Sequence, residues 1–397
     1  MKLDLRGPVT AYVVLSLALL VPLARFYWPA ANGLDVTGHP IGRDFINVWV
    51  GPQLAFGDSL STLFDLKAYH DAIGALFGQK LPFHNWGYPA FTLAAFWPLA
   101  QLPYFWALAV WTFGLFAAFA AVVLSQVPAD KRRIALLLLA LAPACLINAV
   151  GGQNGFATAA LLVGGILSID RRPVLAGVLF GLLTFKPHLG LILPLALVAL
   201  GAWRVIAVAA LTTVLLIVGS IALLGVEPWR HYLGETSAYQ MQLIRVFEGF
   251  YTIMMASVLA GARTFGVSFG VAMALQVVVA IPVLVTALWA VRRARDPMTR
   301  VAVLVGAVPL LTPYAFNYDL TAIAAVLVWR LVGAWPSEPR WDRICLLTWL
   351  APTAMMPLNM IGLGIAPLAN IAFYVAVLAT VWREVSLGRQ PAPVAST

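Results

Sequence analysis

Residues 205–225, VIAVAALTTVLLIVGSIALLG, form an apolar run without a charged residue. About 20 apolar residues in a helix cross the hydrocarbon core of a bilayer, so this run predicts a transmembrane helix. Across all 397 residues, 62% are hydrophobic and 10% are charged, whereas soluble proteins average about 45–50% and 25%. Because so few polar groups cannot cover a water-exposed surface, the sequence predicts an all-α membrane protein that crosses the bilayer many times.

Outward from this run, the chain contains twelve apolar runs that predict about twelve transmembrane helices, several of them short. They occupy residues 9–28, 104–126, 134–150, 155–169, 173–187, 189–203, 205–225, 271–291, 300–313, 319–335, 343–361 and 366–383. The first run follows Lys2 and Arg6 but is too long for the apolar part of a signal peptide, and no clean cleavage site precedes Asn32. We therefore expect an uncleaved anchor.

Basic residues set the expected orientation, because loops on the cytoplasmic side carry an excess of Lys and Arg. A further apolar piece, 89–101, is short and contains Pro98. If it does not span and the N-terminus is cytoplasmic, the basic clusters 131–133, 171–172 and 292–300 lie inside; if it spans, they lie outside. We therefore expect 89–101 to be a re-entrant or interfacial helix on the outer face. Both termini are then cytoplasmic, in a bacterial plasma (inner) membrane.

This topology predicts one integral membrane domain, residues 1–387, and a disordered cytoplasmic tail, 388–397. It leaves two large external loops, 29–103 and 226–270, which are the expected place for any chemistry. The net charge of +9 is explained by cytoplasmic anchoring and predicts no nucleic-acid partner. Cys145 and Cys345 lie in apolar runs and show neither disulfide nor metal-ligand spacing.

Short polar clusters near the predicted outer face are the informative residues, because unpaired polar groups are costly at membrane depth. The candidates are Arg43, Asp44, His84, Trp86, Tyr88, Gln153, Asn154, Lys186, His188, Asn317, Tyr318 and Asp319. Each also has a structural interpretation: a helix cap for Asp44 and Asp319, and snorkelling to the interface for Lys186, which has no acidic residue nearby in sequence. Their convergence on one face indicates a site, and the pair Lys186 and His188 suits a phosphate.

These clusters resemble glycosyltransferase family 87, which belongs to the GT-C superfamily. The similar motifs lie between about residues 40 and 330: Arg43-Asp44-Phe45, Gly57-Asp58-Ser59-Leu60, Leu63-Phe64-Asp65, Tyr88-Pro89, Gly152-Gln153-Asn154, Lys186-Pro187-His188, Pro313-Tyr314 and Tyr318-Asp319. Where the family often has Tyr-Pro-Pro, this chain has Tyr88-Pro89-Ala90.

The resemblance implies a GT-C-like fold and an inverting transfer of a hexose, mannose by analogy, from a polyprenyl-phosphate-linked donor to a lipid or glycan acceptor. Asp44 matches the family's general base, and Lys186 with His188 matches its donor-phosphate region. The other candidates are expected to bind substrate. No metal or other cofactor is expected. The chemistry agrees, because such a transfer needs one carboxylate to accept the acceptor proton and positive charge near the departing phosphate. Asp58 and Asp65 compete with Asp44 for the role of base.

Two other functions remain open from the residues alone. A secondary transporter also has about twelve spans and polar residues at helix breaks, but the acidic residues here fall in a long external loop. A polysaccharide polymerase or ligase of the same superfamily would use a lipid-diphosphate donor instead.

Overall fold

The computed structural model describes residues 8–57, 59–82, 84–336 and 338–386, and most of these residues are helical. Within them there is no β-strand, only three isolated β-bridges. The all-α prediction is therefore confirmed. Asp58 and the tail 388–397 lie outside the described residues.

All twelve predicted runs lie on helices, and five of these helices are long and apolar enough to cross a membrane. They are Val9–Tyr27, Tyr104–Leu124, Trp203–Leu224, Phe269–Arg293 and Ala366–Ser386, the first beginning at Pro8. A sixth candidate is the pair Ala129–Leu141 and Pro143–Val150, which is bent by 58°. Pro143 explains the bend, because its ring cannot donate a helical hydrogen bond. These helices make the chain a membrane protein, while the count of twelve spans stays a prediction.

The remaining helices are shorter or less apolar. Those on predicted spans are Gly155–Ser168, Pro173–Leu183, Leu193–Ala199, Pro297–Leu311, Thr321–Leu331 and Asp342–Met360. Those in the first loop are Phe45–Phe56, Leu60–Phe64, Leu66–Phe77 and Phe91–Ala100, and those in the second are Glu227–His231, Ser237–Val246 and Val258–Thr264. Short 3₁₀ segments are Ala31–Gly33, Ala129–Lys131, Pro187–Gly190, Phe250–Met254, Asn317–Leu320 and Pro339–Trp341, and π-helical turns lie at Val110–Gly114 and Tyr232–Thr236.

The core is built around the Pro297–Leu311 and Thr321–Leu331 helices. Residues 321–330 are all buried, and Trp329 Nε1 donates to the Val123 carbonyl (2.9 Å). By contrast, the Trp203–Leu224 helix buries only 11% of its apolar window. An apolar helix this exposed suits a lipid-facing position at the rim of the bundle.

The two ends of the bundle differ in chemistry. At one end Arg300 pairs with Asp170 (2.6 Å), Arg330 pairs with Asp342 (2.7 Å), and Lys131 Nζ donates to the Val332 carbonyl (2.9 Å). The basic clusters that the sequence places on one face thus gather at one end. The opposite end holds the first loop, the turns near 151–154, 184–190 and 312–320, and the second loop.

The apolar piece 89–101 forms a helix, Phe91–Ala100, that packs against the Phe45–Phe56 helix. Its ten residues rise about 15 Å, half the thickness of a bilayer core. Gln53 Nε2 donates to the Ala100 carbonyl (3.2 Å) and Trp49 Nε1 to the Leu102 carbonyl (2.9 Å). Its C-terminal end therefore stays with the first loop.

Candidate functional site

Asp44 sits in a tight turn, Ile41–Asp44, that leads into the Phe45–Phe56 helix. Gly42 (φ 84°) and Arg43 (φ 38°) are both left-handed, and Tyr104 Oη donates to the Ile41 carbonyl (2.6 Å). Asp44 takes the N-cap position, yet its side chain accepts no capping hydrogen bond. The interpretation of Asp44 as a helix cap is therefore wrong, and its half-buried carboxylate is turned to another partner.

That partner is Gln153, whose Nε2 donates to Asp44 Oδ2 at 2.7 Å. The 151–154 turn is brought there by Gly152, which is left-handed (φ 55°) and lies against the Asp44 turn: a Cβ on Gly152 would come within 2.3 Å of the Gly42 carbonyl oxygen. Trp111 Nε1 donates to the carbonyls of Gly152 (3.0 Å) and Gln153 (3.3 Å). Only glycine permits this approach of two backbones.

The next residue, Asn154, reaches the first loop from the same turn. Its Nδ2 donates to Tyr88 Oη (3.1 Å), while its buried Oδ1 has no hydrogen-bond partner among the residues that the structure describes. Burial raises the pKa of Tyr88, and the carboxylates of Asp44 and Asp319 raise it further. Tyr88 is thus a neutral hydroxyl that lies near both acids.

Lys186 and Asp319 form a buried ion pair, with Nζ 2.6 Å from Oδ1 and the two side chains only 8% and 2% exposed. No acidic residue is close to Lys186 in sequence, and its partner Asp319 lies 133 residues further along the chain. Asp319 Oδ2 also accepts from the Phe316 backbone N–H (3.0 Å), and Lys186 Nζ lies 4.5 Å from the centre of the Tyr318 ring. Lys186 is therefore neutralised in place and does not snorkel away.

His188 lies next to this pair, in the 3₁₀ turn Pro187–Gly190. Its ring packs edge-on against Tyr314 (5.4 Å between ring centres), and its buried Nε2 meets no hydrogen-bond partner in the described part of the chain. Burial lowers the pKa of His188 to about 4, with the Lys186 charge as the second cause. The ring is therefore a neutral imidazole at physiological pH.

The two halves of the site meet where the Gly155–Ser168 helix begins. A Cβ on Gly155 would lie 2.3 Å from the Tyr318 carbonyl oxygen, so the turn that holds Gln153 and Asn154 abuts the turn that holds Asp319. The Asp44 and Asp319 carboxylates both raise the pKa of Tyr314 and Tyr318, for which burial is the largest cause. The structure therefore brings Asp44, Gln153, Asn154, Tyr88, Lys186, His188, Tyr318 and Asp319 together at one end of the bundle.

His84 also lies near Asp44. Its ring is buried, and Nδ1 is 2.7 Å from the Pro82 carbonyl, which can only accept, so Nδ1 carries the proton. Burial lowers the pKa of His84, and the Asp44 carboxylate acts against that shift. His84 therefore lies within electrostatic reach of Asp44.

Three further candidate residues, Arg43, Asn317 and Trp86, make contacts within the protein. Arg43 Nε donates to Asp35 (2.9 Å), Asn317 Nδ2 donates to the Pro352 carbonyl (3.1 Å), and the buried Trp86 packs on Gly51. Of the competing acids, Asp65 caps the Leu66–Phe77 helix by accepting from the Ala68 backbone N–H (2.7 Å).

Two residues at this end of the bundle were not among the candidates predicted from sequence. Asp35 is 3% exposed and pairs with Arg43; its only local signal is an Asx turn to Thr37. Gln240, in the second loop, accepts a hydrogen bond from Tyr314 Oη (2.6 Å) and lies against Gly87. No local pattern distinguishes Gln240.

Metal ligands are not clustered in the part of the chain that the structure describes. Within it, no group of three or more His, Cys, Asp or Glu side chains lies close enough to hold an ion.

The fold is that of a helical integral membrane protein. At one end of its bundle, the Asp44 carboxylate makes no helix cap and the Lys186 ammonium group is paired with Asp319. The model of glycosyltransferase family 87 matches residues 86–313, more than half of the chain, and the chain belongs to this glycosyltransferase family. No curated protein and no solved structure matches it significantly. Tyr88, Gln153, Asn154, Lys186 and His188 lie inside the matched segment, while Asp44 precedes it.

Proposed function

We propose that the protein transfers a hexose, mannose by its family resemblance, from a polyprenyl-phosphate-linked donor to a lipid or glycan acceptor, with inversion and with Asp44 as general base. The observation that carries this proposal is the state of Asp44. It is half-buried, makes no helix cap, and is bonded by one neutral amide from the family-matched segment. A carboxylate with free acceptor capacity beside buried polar groups is the group that such a transfer requires.

The proposed reaction is a single displacement. Asp44 accepts the proton of the acceptor hydroxyl as that oxygen attacks the anomeric carbon. The bond from this carbon to the phosphate oxygen breaks on the opposite face, and its electrons leave with the polyprenyl phosphate. The departing phosphate needs no proton, so one carboxylate is sufficient.

Lys186 is the proposed contact for the donor phosphate. An ammonium group has three N–H donors, and Asp319 accepts one of them, which leaves two for phosphate oxygens. His188 can add a hydrogen bond through Nε2, which no described residue occupies. Tyr88, Tyr318 and Asn154 are proposed to contact the sugar, because rings stack on its C–H faces and the free Asn154 Oδ1 can accept from a hydroxyl.

Charge favours a phosphodiester donor over a lipid diphosphate. Around the described site, Arg43 is paired with Asp35 and Lys186 with Asp319, and His188 is neutral. The region therefore offers polar N–H groups but little net positive charge, and Asp44 is negative nearby. One phosphate charge suits such a site better than the two or more of a diphosphate.

We further propose twelve spans in a GT-C-like arrangement, with this site on the extracytoplasmic side. The arginine and lysine pairs at the opposite bundle end support that orientation, because they match the cytoplasmic excess of basic residues. The short Phe91–Ala100 helix, the Phe45–Phe56 helix and the second loop would then lie at the outer interface.

The test is reconstitution into liposomes with either a polyprenyl-phosphate hexose or the matching polyprenyl-diphosphate hexose, plus an extract of membrane lipids and glycans as acceptors. We expect only the monophosphate donor to be consumed, with an acceptor heavier by one hexose in the mass spectrum. Consumption of the diphosphate alone would favour a polymerase or ligase. Solute uptake without any covalent product would favour a transporter.

A further inference from the structure

Asp35 is a buried acid that accepts four hydrogen bonds from described residues. It accepts from the Thr37 backbone N–H (2.8 Å), Thr37 Oγ1 (2.6 Å), the His39 backbone N–H (3.2 Å) and Arg43 Nε (2.9 Å). Oδ1 receives three of these bonds and Oδ2 faces the Arg43 guanidinium, and because the side chain is only 2% exposed, neither oxygen is open to substrate. Its role must therefore act through the residues that it holds.

The main residue that it holds, Arg43, has an unusual backbone. Its φ of 38° is left-handed, which is unfavourable for any residue with a Cβ. The guanidinium is fixed from several sides: Nη2 donates to the Phe26 carbonyl (2.5 Å) and to Thr37 Oγ1 (3.1 Å), and its carbon lies 4.0 Å from the centre of the Tyr27 ring. Such a conformation persists only where the surroundings enforce it.

Arg43, whose left-handed backbone is enforced in this way, directly precedes Asp44. Because Arg43 is left-handed, the chain turns sharply and Asp44 enters the helix with its carboxylate directed to Gln153 and not to the helix N–H groups. We propose that Asp35 and Arg43 are positioning residues, which hold the Ile41–Asp44 turn so that the Asp44 carboxylate faces the acceptor hydroxyl. This inference rests on the proposed function of Asp44 and assigns no direct contact with substrate to either residue.

Replacing Arg43 with glycine distinguishes a role in positioning Asp44 from a contribution to the stability of the fold alone. Glycine adopts a left-handed conformation without strain, whereas alanine does not. We would compare Asp35→Asn/Arg43→Gly with Asp35→Asn/Arg43→Ala, since both lack the ion pair and leave no buried charge. Per folded molecule, we expect the glycine variant to have a kcat on the order of ten-fold above that of the alanine variant, with the KM for donor unchanged in both.

The matched control is Asp71→Asn, the same chemical change at an exposed ion pair with Lys67 in the same loop, which should leave kcat unchanged. The folded fraction is measured by size-exclusion chromatography and thermal unfolding. If the alanine variant does not fold, Asp35→Asn/Arg43→Asn replaces it; asparagine tolerates the left-handed region only in part, so its kcat should lie below that of the glycine variant.

Equal kcat values for the alanine, asparagine and glycine variants would overturn the inference and leave the ion pair as a stability element only. Asp44→Asn is assayed in parallel. If Asp44→Asn is inactive while the glycine and alanine variants are equal, the positioning role fails and the proposed base stands. If Asp44→Asn is fully active, the proposed function of Asp44 fails.

Discussion

Gln153 Nε2 and Asp44 Oδ2 lie 2.7 Å apart across 109 positions of sequence. The contact joins the family-matched segment, residues 86–313, to Asp44, which precedes that segment. It also gives the carboxylate a fixed orientation, because the Gln153 backbone is itself held by Trp111 (3.3 Å). An acid that is oriented by one neutral donor keeps its remaining lone pairs for another partner.

Replacing Asp44 with asparagine should lower kcat by about 10²–10⁴-fold, the usual contribution of a general base. Folding should be little affected, because Asp44 caps no helix. Turnover of the polyprenyl-phosphate donor is the measurement. Asp65→Asn is the comparison: Asp65 is a helix cap and asparagine caps a helix about as well, so both kcat and thermal stability should stay close to those of the wild type. Near-wild-type turnover by Asp44→Asn would remove the assignment.

Gln153→Glu would place a second carboxylate within hydrogen-bond distance of Asp44. Like charges disfavour ionisation, so more alkaline solution is needed to generate the base, and the acidic limb of the kcat/KM profile should move to higher pH. Gln153→Leu removes the donor without adding charge and should lower kcat with a smaller change of profile. If the two variants gave superimposable pH profiles, Gln153 would not act on Asp44.

The Lys186–Asp319 pair should show strong coupling in stability. Removing one partner of a buried pair costs about 3–5 kcal/mol, whereas removing both leaves no isolated charge. Lys186→Met and Asp319→Asn should therefore each unfold at lower temperature than Lys186→Met/Asp319→Asn. Lys67→Met at the exposed Lys67–Asp71 pair should change stability by about 0–1 kcal/mol. Additive losses in the double variant would show that the two side chains do not interact in the membrane.

Gly152→Ala should lose most of its activity because the new Cβ would collide with the Gly42 carbonyl and displace the Asp44 turn. Gly78→Ala is the matched control: Gly78 is also left-handed (φ 66°), but a Cβ there meets nothing within 4 Å. Both variants carry the same backbone strain, and only Gly152→Ala carries the collision. Similar kcat values per folded molecule for the two would contradict the tight approach of the two turns.

The buried His188 side chain should make the stability of the folded protein depend on pH. Its pKa is lowered from 6.5 to about 4 by burial and by Lys186, so between these values the unfolded chain binds more protons than the folded one. Stability should therefore fall as the pH is lowered from 6.5 towards 4, and His188 should contribute no slope above 6.5. His188→Gln should make the melting temperature depend less on pH between 6.5 and 4. His231→Gln, at the more exposed pair with Glu235, should not have this effect. An unchanged slope in His188→Gln would show that the histidine is not buried as described.

Much of the site could be predicted from sequence, but its pairings could not. Short motifs identified Asp44, Gln153, Asn154, Lys186, His188 and Asp319, because polar residues are conspicuous in an apolar chain. Which acid neutralises Lys186 could not be read locally, since the answer lies 133 residues away. The same holds for Arg43, whose partner, Asp35, stands in an ordinary-looking turn.

The sequence alone determined the helical membrane class, since composition and apolar run length follow directly from the solvent that a chain must match. It also placed the basic clusters together, because loop charge alternates with each crossing. Only the tertiary structure decided that the Asp44 side chain caps no helix and accepts a hydrogen bond from Gln153. It also decided that Lys186 is paired with Asp319 and that Arg43 has a left-handed backbone. These are contacts between distant segments, and they depend on how the helices pack rather than on any local pattern of residues.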